Sequence, residues 1–300
     1  MAVKTVQVII NGEVTTLSYN GQTGKYEATI TAPSKSSYNV NAGHYYPVTV
    51  KATDEAGNVT TKTDEDTTLG ASLKLKVKEK VAPTITISSP TAGSYLTTNK
   101  PTIKWKVTGV NPSTIGITID NGSKVTGDSI TKTPVSGGYE CTYTPGSALA
   151  DGSHTVKVDA SDYDGNAAVQ KSVKCTIDTV PPTLSITSPS DKLITNKTAI
   201  TVTGKTNDAT SSPVTVTIKL NSGNAETVEV GADGAFSKAL TLVAGSNTIT
   251  VVAKDAAGKS TTVTRTVIVD QTAPVIKSIT INPNPVDAGK TYVICVEVTD

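Results

Sequence analysis

The sequence predicts an all-β chain made of tandem β-sandwich modules, and three observations support that prediction. Threonine is the commonest residue, and Thr, Val and Ile suit a pleated, half-buried surface because they are stiff at χ1. A strand–turn–strand pattern occurs three times, and a proline-containing joint follows each copy. Apolar residues alternate along short runs, without the 3.6-residue period of an amphipathic helix. A chain of 300 residues is long enough for three modules.

The repeated turn has the pattern V-x-A-x-D-x-x-G-[N/K]. It occurs at Val50–Asn58, Val158–Asn166 and Val251–Lys259. Asp suits the first position of a type I turn and Gly the fourth, so each copy is interpreted as a strand, a tight turn and a return strand. Successive copies lie about 100 residues apart, which is the length of one sandwich module.

Each copy is followed by a joint that contains proline. The three joints are Val81-Ala82-Pro83, Val180-Pro181-Pro182 and Thr272-Ala273-Pro274. Proline fixes φ and pushes the residue before it into an extended conformation, so we expect stiff joints. The predicted divisions are a partial or reduced module at 1–80, modules at 81–179 and 180–271, and a C-terminal strand pair at 272–300.

The third module shows its strands most clearly. Seven are predicted, at Thr183–Thr187, Ile200–Thr206, Val214–Leu220, Glu226–Val230, Ala235–Leu242, Asn247–Asp255 and Lys259–Val269. In the second module, Trp105 alternates with Ile103 and Val107 and is predicted to lie in the core. Cys141 and Cys175 also alternate with apolar neighbours and are predicted to point inward.

The D-x-x-G-N turn and the D-x-x-x-P joint, as in Asp178–Pro182, resemble those of bacterial immunoglobulin-like modules. Such modules occur in tandem on adhesins, on surface proteins of Gram-positive bacteria and in tailed-phage virion proteins. The resemblance implies tandem immunoglobulin-like β-sandwich modules arranged in a rod. It is specific for the fold and not for one function, because the fold serves many roles.

The two ends of the chain differ from the central modules. The first module aligns with the third only from the third strand onward, while the tail offers a strand pair at Ile276–Asn282 and Tyr292–Thr299. One hypothesis is head-to-tail strand addition, in which this pair completes the first module of another copy through Ile279, Val293 and Val296. The alternatives are a reduced first sandwich closed by Ser72–Glu79, and a tail that packs on the third module or marks a cut boundary.

Asp159, Asp162 and Asp164 cluster with Asn166 in the second module and are the calcium candidates of the sequence. The turn alone also explains Asp162. Asp159 lies three residues earlier on an extended strand, on the order of 10 Å away. Asp178 and Asp270 stand beside different joints, and each could clamp neighbouring modules through an ion.

Tyr38 and Tyr45 lie in the segment of highest aromatic density and are candidates for contact with a partner or a glycan. Alternation predicts that the neighbouring Tyr46 is buried. The formal charge of +1 and the single arginine, Arg265, favour neither nucleic acid nor an anionic membrane as partner. No apolar run is long enough for a leader or a membrane span.

His44 and His154 lie in different modules and show no spacing typical of a catalytic triad or a zinc site. We therefore expect a non-enzymatic structural or adhesive protein without a cofactor, calcium excepted. The expected setting is a phage virion (tail, baseplate or capsid decoration), with other subunits and weakly bound host glycans as partners. A bacterial cell-surface adhesin and an accessory module of a polysaccharide-degrading enzyme are the alternatives.

Overall fold

A computed structural model describes residues 2–300, and these residues divide into two compact units. Unit 1 comprises the chain through Gly93 together with Thr102–Gly146 and His154–Lys174, and unit 2 comprises Ser94–Pro101, Ser147–Ser153 and Cys175–Asp300. The helical elements among the described residues are three short 3₁₀ turns, at Ser37–Asn39, Gly70–Leu73 and Gly127–Ser129. The all-β prediction is confirmed.

In unit 1, the first module consists of one sheet. Its strands are β1 (Val3–Ile10), β2 (Glu13–Asn20), β3 (Lys25–Glu27), β4 (Tyr46–Asp54), β5 (Val59–Lys62) and β6 (Lys74–Leu75). Their order is β3-β2-β1-β4-β5, and β6 pairs with β4. Asn11 and Gly12, with φ of 50° and 83°, form the tight turn between β1 and β2, since that hairpin geometry needs positive φ.

The segment after β5 packs onto this sheet without forming a long strand. The expected strand Ser72–Glu79 is reduced to β6, and Ser37 anchors the rest: its Oγ donates to the carbonyl of Val77 at 3.2 Å and accepts the Val77 N–H at 3.1 Å. Tyr46 is buried, which confirms the prediction from alternation. Residues 2–80 form no second sheet opposite the first.

The second module is a two-sheet sandwich. Its strands are β7 (Thr84–Ser89), β8 (Tyr95–Leu96), β9 (Ile103–Thr108), β10 (Gly116–Ile119), β11 (Thr131–Val135), β12 (Gly138–Tyr143), β13 (Gly152–Asp159) and β14 (Lys171–Ile177). The sheet orders are β11-β12-β9-β7 and β10-β13-β14-β8. Trp105 is buried between the two sheets with Ile117 and Val158, as predicted, and Cys141 and Cys175 are buried as well.

The third module, in unit 2, is also a two-sheet sandwich. Its strands are β15 (Thr183–Ser188), β16 (Leu193–Thr195), β17 (Ala199–Asn207), β18 (Thr215–Leu220), β19 (Glu226–Val228), β20 (Ala235–Thr241), β21 (Gly245–Lys254) and β22 (Ser260–Val269). The sheet orders are β15-β17-β20 and β16-β22-β21-β18-β19. All seven predicted strands are present. The additional β16 has three residues and pairs in parallel with the end of β22, a long-range partner that a local pattern does not show.

The predicted C-terminal strand pair is confirmed as an antiparallel hairpin of β23 (Val275–Asn282) and β24 (Val293–Thr299). Ile279 lies directly opposite Val296, so these two side chains share one face. Val293 lies opposite Asn282, and alternation places it on the other face. The side chains of both strands are exposed.

The lone tryptophan makes the stability of the second module measurable. We predict that Ile117→Ala lowers the free energy of unfolding of this module by about 2–5 kcal/mol, because the fully buried side chain leaves a cavity beside Trp105. Trp105 fluorescence during urea unfolding measures the loss. Val169→Ala is the control, since Val169 is 76% exposed, and it changes the transition by no more than about 0.5 kcal/mol. Equal effects of the two substitutions would contradict the assigned core.

Candidate functional site

The three repeated turns share one hydrogen-bond arrangement. Asp54, Asp162 and Asp255 each receive, on Oδ1, the backbone N–H of the residue four positions later, at 2.9, 2.7 and 2.8 Å. The backbone N–H of each aspartate returns a hydrogen bond to the carbonyl of that same residue, at 3.0–3.1 Å. The aspartate is thus required at this position because its carboxylate closes the turn.

In the second module this turn also holds the joint that precedes the module. The backbone N–H of Glu79 donates to Asp164 Oδ2 at 3.0 Å, and Asn166 Nδ2 donates to the carbonyl of Glu79 at 2.9 Å. Both backbone polar groups of one joint residue are therefore satisfied by side chains of the turn. Such pairing fixes the chain direction where one module passes into the next.

An aromatic stack lies beside this joint. The rings of Tyr38 and Tyr163 are 3.5 Å apart with an interplanar angle of 14°, and those of Tyr38 and His44 are 4.0 Å apart at 8°. The rings of His44 and Tyr163 are both too close to Tyr38 to stack on the same face of it. They therefore lie on opposite faces, and both faces of Tyr38 are covered. Burial raises the pKa of Tyr163, and the neighbouring Tyr38 adds to the shift. The stack therefore ties the first module to the second.

The joint, the turn and the stack line one cleft of about 430 Å³ within unit 1. Tyr38, Tyr139, Tyr163, Glu79, Asp162 and Asp164 contribute its aromatic and acidic side chains. This volume lies within the range of small-ligand sites. Aromatic rings beside hydrogen-bonding carboxylates suit a polar ligand with an apolar face, such as a sugar ring.

The acidic group in the cleft differs from the predicted one. Carboxylate oxygens of Glu79, Asp162 and Asp164 lie within 4.8 Å of one another, whereas Asp159 forms an ion pair with Lys124 instead. Asn166 occupies both oxygens of Asp162, through its backbone N–H at 2.7 Å and its side-chain amide at 2.6 Å. Both oxygens of Asp162 and one oxygen of Asp164 are thus used by the turn and the joint.

Glu79 was not identified from the sequence, although a signal for it exists. It stands four residues before Pro83, as Asp178 and Asp270 stand four residues before Pro182 and Pro274. Aligning the three joints could therefore have identified this acidic position. Asp270, the candidate at the last joint, accepts the N–H of Thr272 on Oδ1 at 2.9 Å and closes a local turn.

The other candidate side chains make contacts within their own modules. The Tyr45 hydroxyl donates to Asp64 Oδ2 at 2.8 Å, which raises the Tyr45 pKa, and Lys74 Nζ lies 5.0 Å from the centre of the ring. His44 Nδ1 lies 2.6 Å from the carbonyl oxygen of Tyr38, and His154 Nδ1 lies 2.8 Å from Asp120 Oδ2. The two histidines occupy separate modules and are not brought together.

Comparison with known families agrees with the two-sheet modules. Residues 80–179 match the model of a family described as bacterial Ig-like domain, and residues 182–271 match the model described as glucodextranase, domain B. Residues 80–271 therefore form two tandem Ig-like modules. No helix among residues 2–300 is long and apolar enough to cross a membrane.

Individual relatives resemble parts of the chain. Bacillopeptidase F of Bacillus subtilis (strain 168) is 32% identical over 193 residues, which is 64% of this chain but only 12% of that protein. Fibronectin(III)-like modules of Clostridium thermocellum CbhA match 62% of this chain and 94% of their own at 19% identity and a TM-score of 0.36. Titin domains A168–A170 match 87% and 86% at 13% identity and a TM-score of 0.43. The fold assignment rests on the family matches and the sheet orders.

The side-chain amide of Asn166 donates both to the turn aspartate Asp162 and to the joint carbonyl of Glu79. We predict that Asn166→Ala lowers the free energy of unfolding by about 1–3 kcal/mol, because the buried Asp162 loses a side-chain partner and the Glu79 carbonyl loses its donor. The matched control is Asn58→Ala, in the same turn of the first module, which removes only the amide hydrogen bond to Asp54. Scanning calorimetry compares the two. A loss in Asn58→Ala as large as that in Asn166→Ala would contradict the role of Asn166 at the joint.

Proposed function

We propose that this tandem Ig-like protein is a non-catalytic structural and attachment protein. The observation that supports this function best is the joint between the first two modules. There, the backbone N–H and carbonyl of Glu79 are both bound by side chains of the next turn. A protein that spaces and presents modules needs joints of this kind, whereas a catalytic site needs acidic groups available for proton transfer.

The carboxylates of Asp162 and Asp164 in the cleft serve this structural role. Asp162 closes the turn through both oxygens, and Asp164 receives the joint N–H. Two carboxylates working as acid and base need environments that separate their roles. These carboxylates instead accept hydrogen bonds from the backbone and from an amide side chain, which supports holding rather than turnover.

We assign attachment to the same cleft, which would bind a surface glycan weakly. Tyr38 cannot offer a free ring face because His44 and Tyr163 cover it on both sides. The sugar contact therefore falls to Tyr163, which is 39% exposed, and to Tyr139 in the cleft wall. Asp164 and Glu79 provide acceptors for sugar hydroxyl groups at the rim.

The setting we propose is a phage virion, as a tail, baseplate or capsid-decoration component that contacts other subunits, with a bacterial cell surface as the alternative. The turn and joint motifs support this setting through their resemblance to modules of such proteins. Tandem modules with fixed joints suit either position, because both require a spacer that holds a binding surface away from its anchor.

A second candidate function is an accessory segment of a larger hydrolase. Two findings favour it: the similarity to a stretch of Bacillopeptidase F amounts to 12% of that protein, and residues 182–271 match a domain named after glucodextranase. In this case the modules would support a catalytic domain that lies outside residues 1–300.

The glycan contact is testable in the intact chain. We predict that Tyr163→Ala weakens binding to host-surface glycans about 3- to 10-fold, because the exposed ring that faces the cleft is removed. Glycan-array screening followed by titration of the best ligand measures this loss. Tyr292→Ala is the control, since Tyr292 is similarly exposed but lies on the C-terminal hairpin segment. Equal losses would contradict the site, and cleavage of the bound glycan would contradict a non-catalytic role.

The setting has its own test. We expect peptides of the chain in purified, intact phage particles released from the producing strain, at a constant ratio to a capsid protein, because a structural subunit has a fixed copy number. Quantitative mass spectrometry of the particles measures that ratio. Recovery of the chain in the cell-wall fraction, and not in particles, would favour the cell surface instead.

A further inference from the structure

A second acidic cluster lies in unit 2, at the joint that leads into the third module. Carboxylate oxygens of Asp178, Asp208 and Asp255 lie within 4.8 Å of one another. All three residues are more than nine-tenths buried, with exposed fractions of 0%, 9% and 5%. None of the three takes part in an ion pair within residues 2–300.

The three carboxylates come from three strand ends. Asp178 follows β14, Asp208 follows β17 and Asp255 follows β21. The loop after Asp208 is held to the turn of Asp255, because the N–H of Ala256 donates to the carbonyl of Ser211 at 3.1 Å. The cluster is thus built by the fold from distant parts of the chain and is not a run of acidic residues on a surface loop.

Hydrogen bonds satisfy only part of this cluster. Asp255 Oδ1 accepts the N–H of Lys259 at 2.8 Å, Asp208 Oδ1 accepts the N–H of Ser211 at 2.7 Å, and Asp178 Oδ2 accepts the Ser211 hydroxyl. Asp255 Oδ2 is buried and has no hydrogen-bond partner. A buried, unpaired carboxylate oxygen beside two further carboxylates is unfavourable, and a bound cation would stabilise it.

The other two turns show why this oxygen is unpaired. In those turns the residue after the glycine is asparagine, and its side-chain amide donates to the second oxygen of the turn aspartate, from Asn58 to Asp54 at 2.9 Å and from Asn166 to Asp162 at 2.6 Å. The third turn has Lys259 at this position. Lys259 provides its backbone N–H but no amide side chain, so Asp255 Oδ2 remains available to a ligand.

We propose that Asp178, Asp208 and Asp255 bind a calcium ion. The donors are all oxygens, and Ca²⁺ takes six to eight oxygens at about 2.3–2.6 Å in flexible geometries. Two oxygens on one Ca²⁺ are at most about 5 Å apart, which matches the cluster. Ligands from three separate strand ends favour Ca²⁺ over Mg²⁺, which demands near-ideal octahedral geometry.

The first cluster, Glu79 with Asp162 and Asp164, does not carry the same inference. Asn166 already occupies both oxygens of Asp162, and Asp164 Oδ2 receives the N–H of Glu79. None of its carboxylate oxygens is buried without a partner. The two clusters stand at equivalent joints, and their turns differ at the residue after the glycine, which is Asn166 in one and Lys259 in the other.

The proposal is tested on the full chain after removal of metal ions. Isothermal titration with CaCl₂ up to about 10 mM covers even the weakest dissociation constants typical of extracellular calcium sites. We expect one bound ion per chain and, at saturation, a rise of about 5–10 °C in the unfolding temperature of the third module. We also expect MgCl₂ to bind at least about 10-fold more weakly.

Three variants locate the ion. Asp255→Asn and Asp178→Asn each remove one carboxylate charge but keep an oxygen acceptor, and each is expected to weaken binding at least about 10-fold. Asp233→Asn makes the same charge change on the surface of the same module and leaves affinity within about 2-fold. Circular dichroism of each variant confirms that the sheets are intact.

The turn itself offers the sharpest comparison. Lys259→Asn restores the amide that the other two turns carry, so it is expected to occupy Asp255 Oδ2 and weaken Ca²⁺ binding at least about 10-fold without unfolding the module. Lys259→Met removes the same positive charge without adding an amide and retains binding. The proposal is overturned by no Ca²⁺ binding up to about 10 mM, by equal affinity for Mg²⁺, or by losses in Asp233→Asn that match those in Asp255→Asn.

Discussion

The modules depend on one hydrogen bond, which the backbone N–H four residues later donates to the carboxylate of the turn aspartate. Asp54, Asp162 and Asp255 make it in the same geometry, at 2.7–2.9 Å, in three modules whose surrounding sheets differ. It closes the turn between two neighbouring strands of one sheet. In the second and third modules the same turn lies beside the preceding joint. The turn therefore serves both the sandwich and its connection.

The first two joints differ in the residues that the neighbouring turn places against them. At the first joint, an asparagine amide and two aspartates bind the backbone and the carboxylates of the turn, and every buried oxygen of the cluster has a partner. At the next joint, Lys259 replaces the asparagine, a joint carboxylate is fully buried, and one oxygen of Asp255 is left unpaired. The first of these joints is therefore held by hydrogen bonds, whereas the second contains a buried carboxylate oxygen without a partner.

Local patterns were sufficient for most strands and insufficient for the sites. Alternation placed Trp105 and Tyr46 inside and located the strands of the third module, because strand periodicity is a property of neighbouring residues. The stack of Tyr38 on Tyr163, the pairing of Glu79 with Asp164 and the convergence of Asp178 with Asp208 join segments far apart in sequence. Asp159 was grouped with Asp162 by proximity along the chain, although the fold pairs it with Lys124.

Amide hydrogen exchange at Glu79, followed by NMR, tests most directly the claim that the turn holds the joint. The Glu79 amide is predicted to be strongly protected in the wild-type chain, because it donates to Asp164 Oδ2. In Asp164→Ala this protection is lost, while the amide of Asn166 stays protected through Asp162 Oδ1. A Glu79 amide that exchanges as fast in the wild-type chain as in Asp164→Ala would contradict the account.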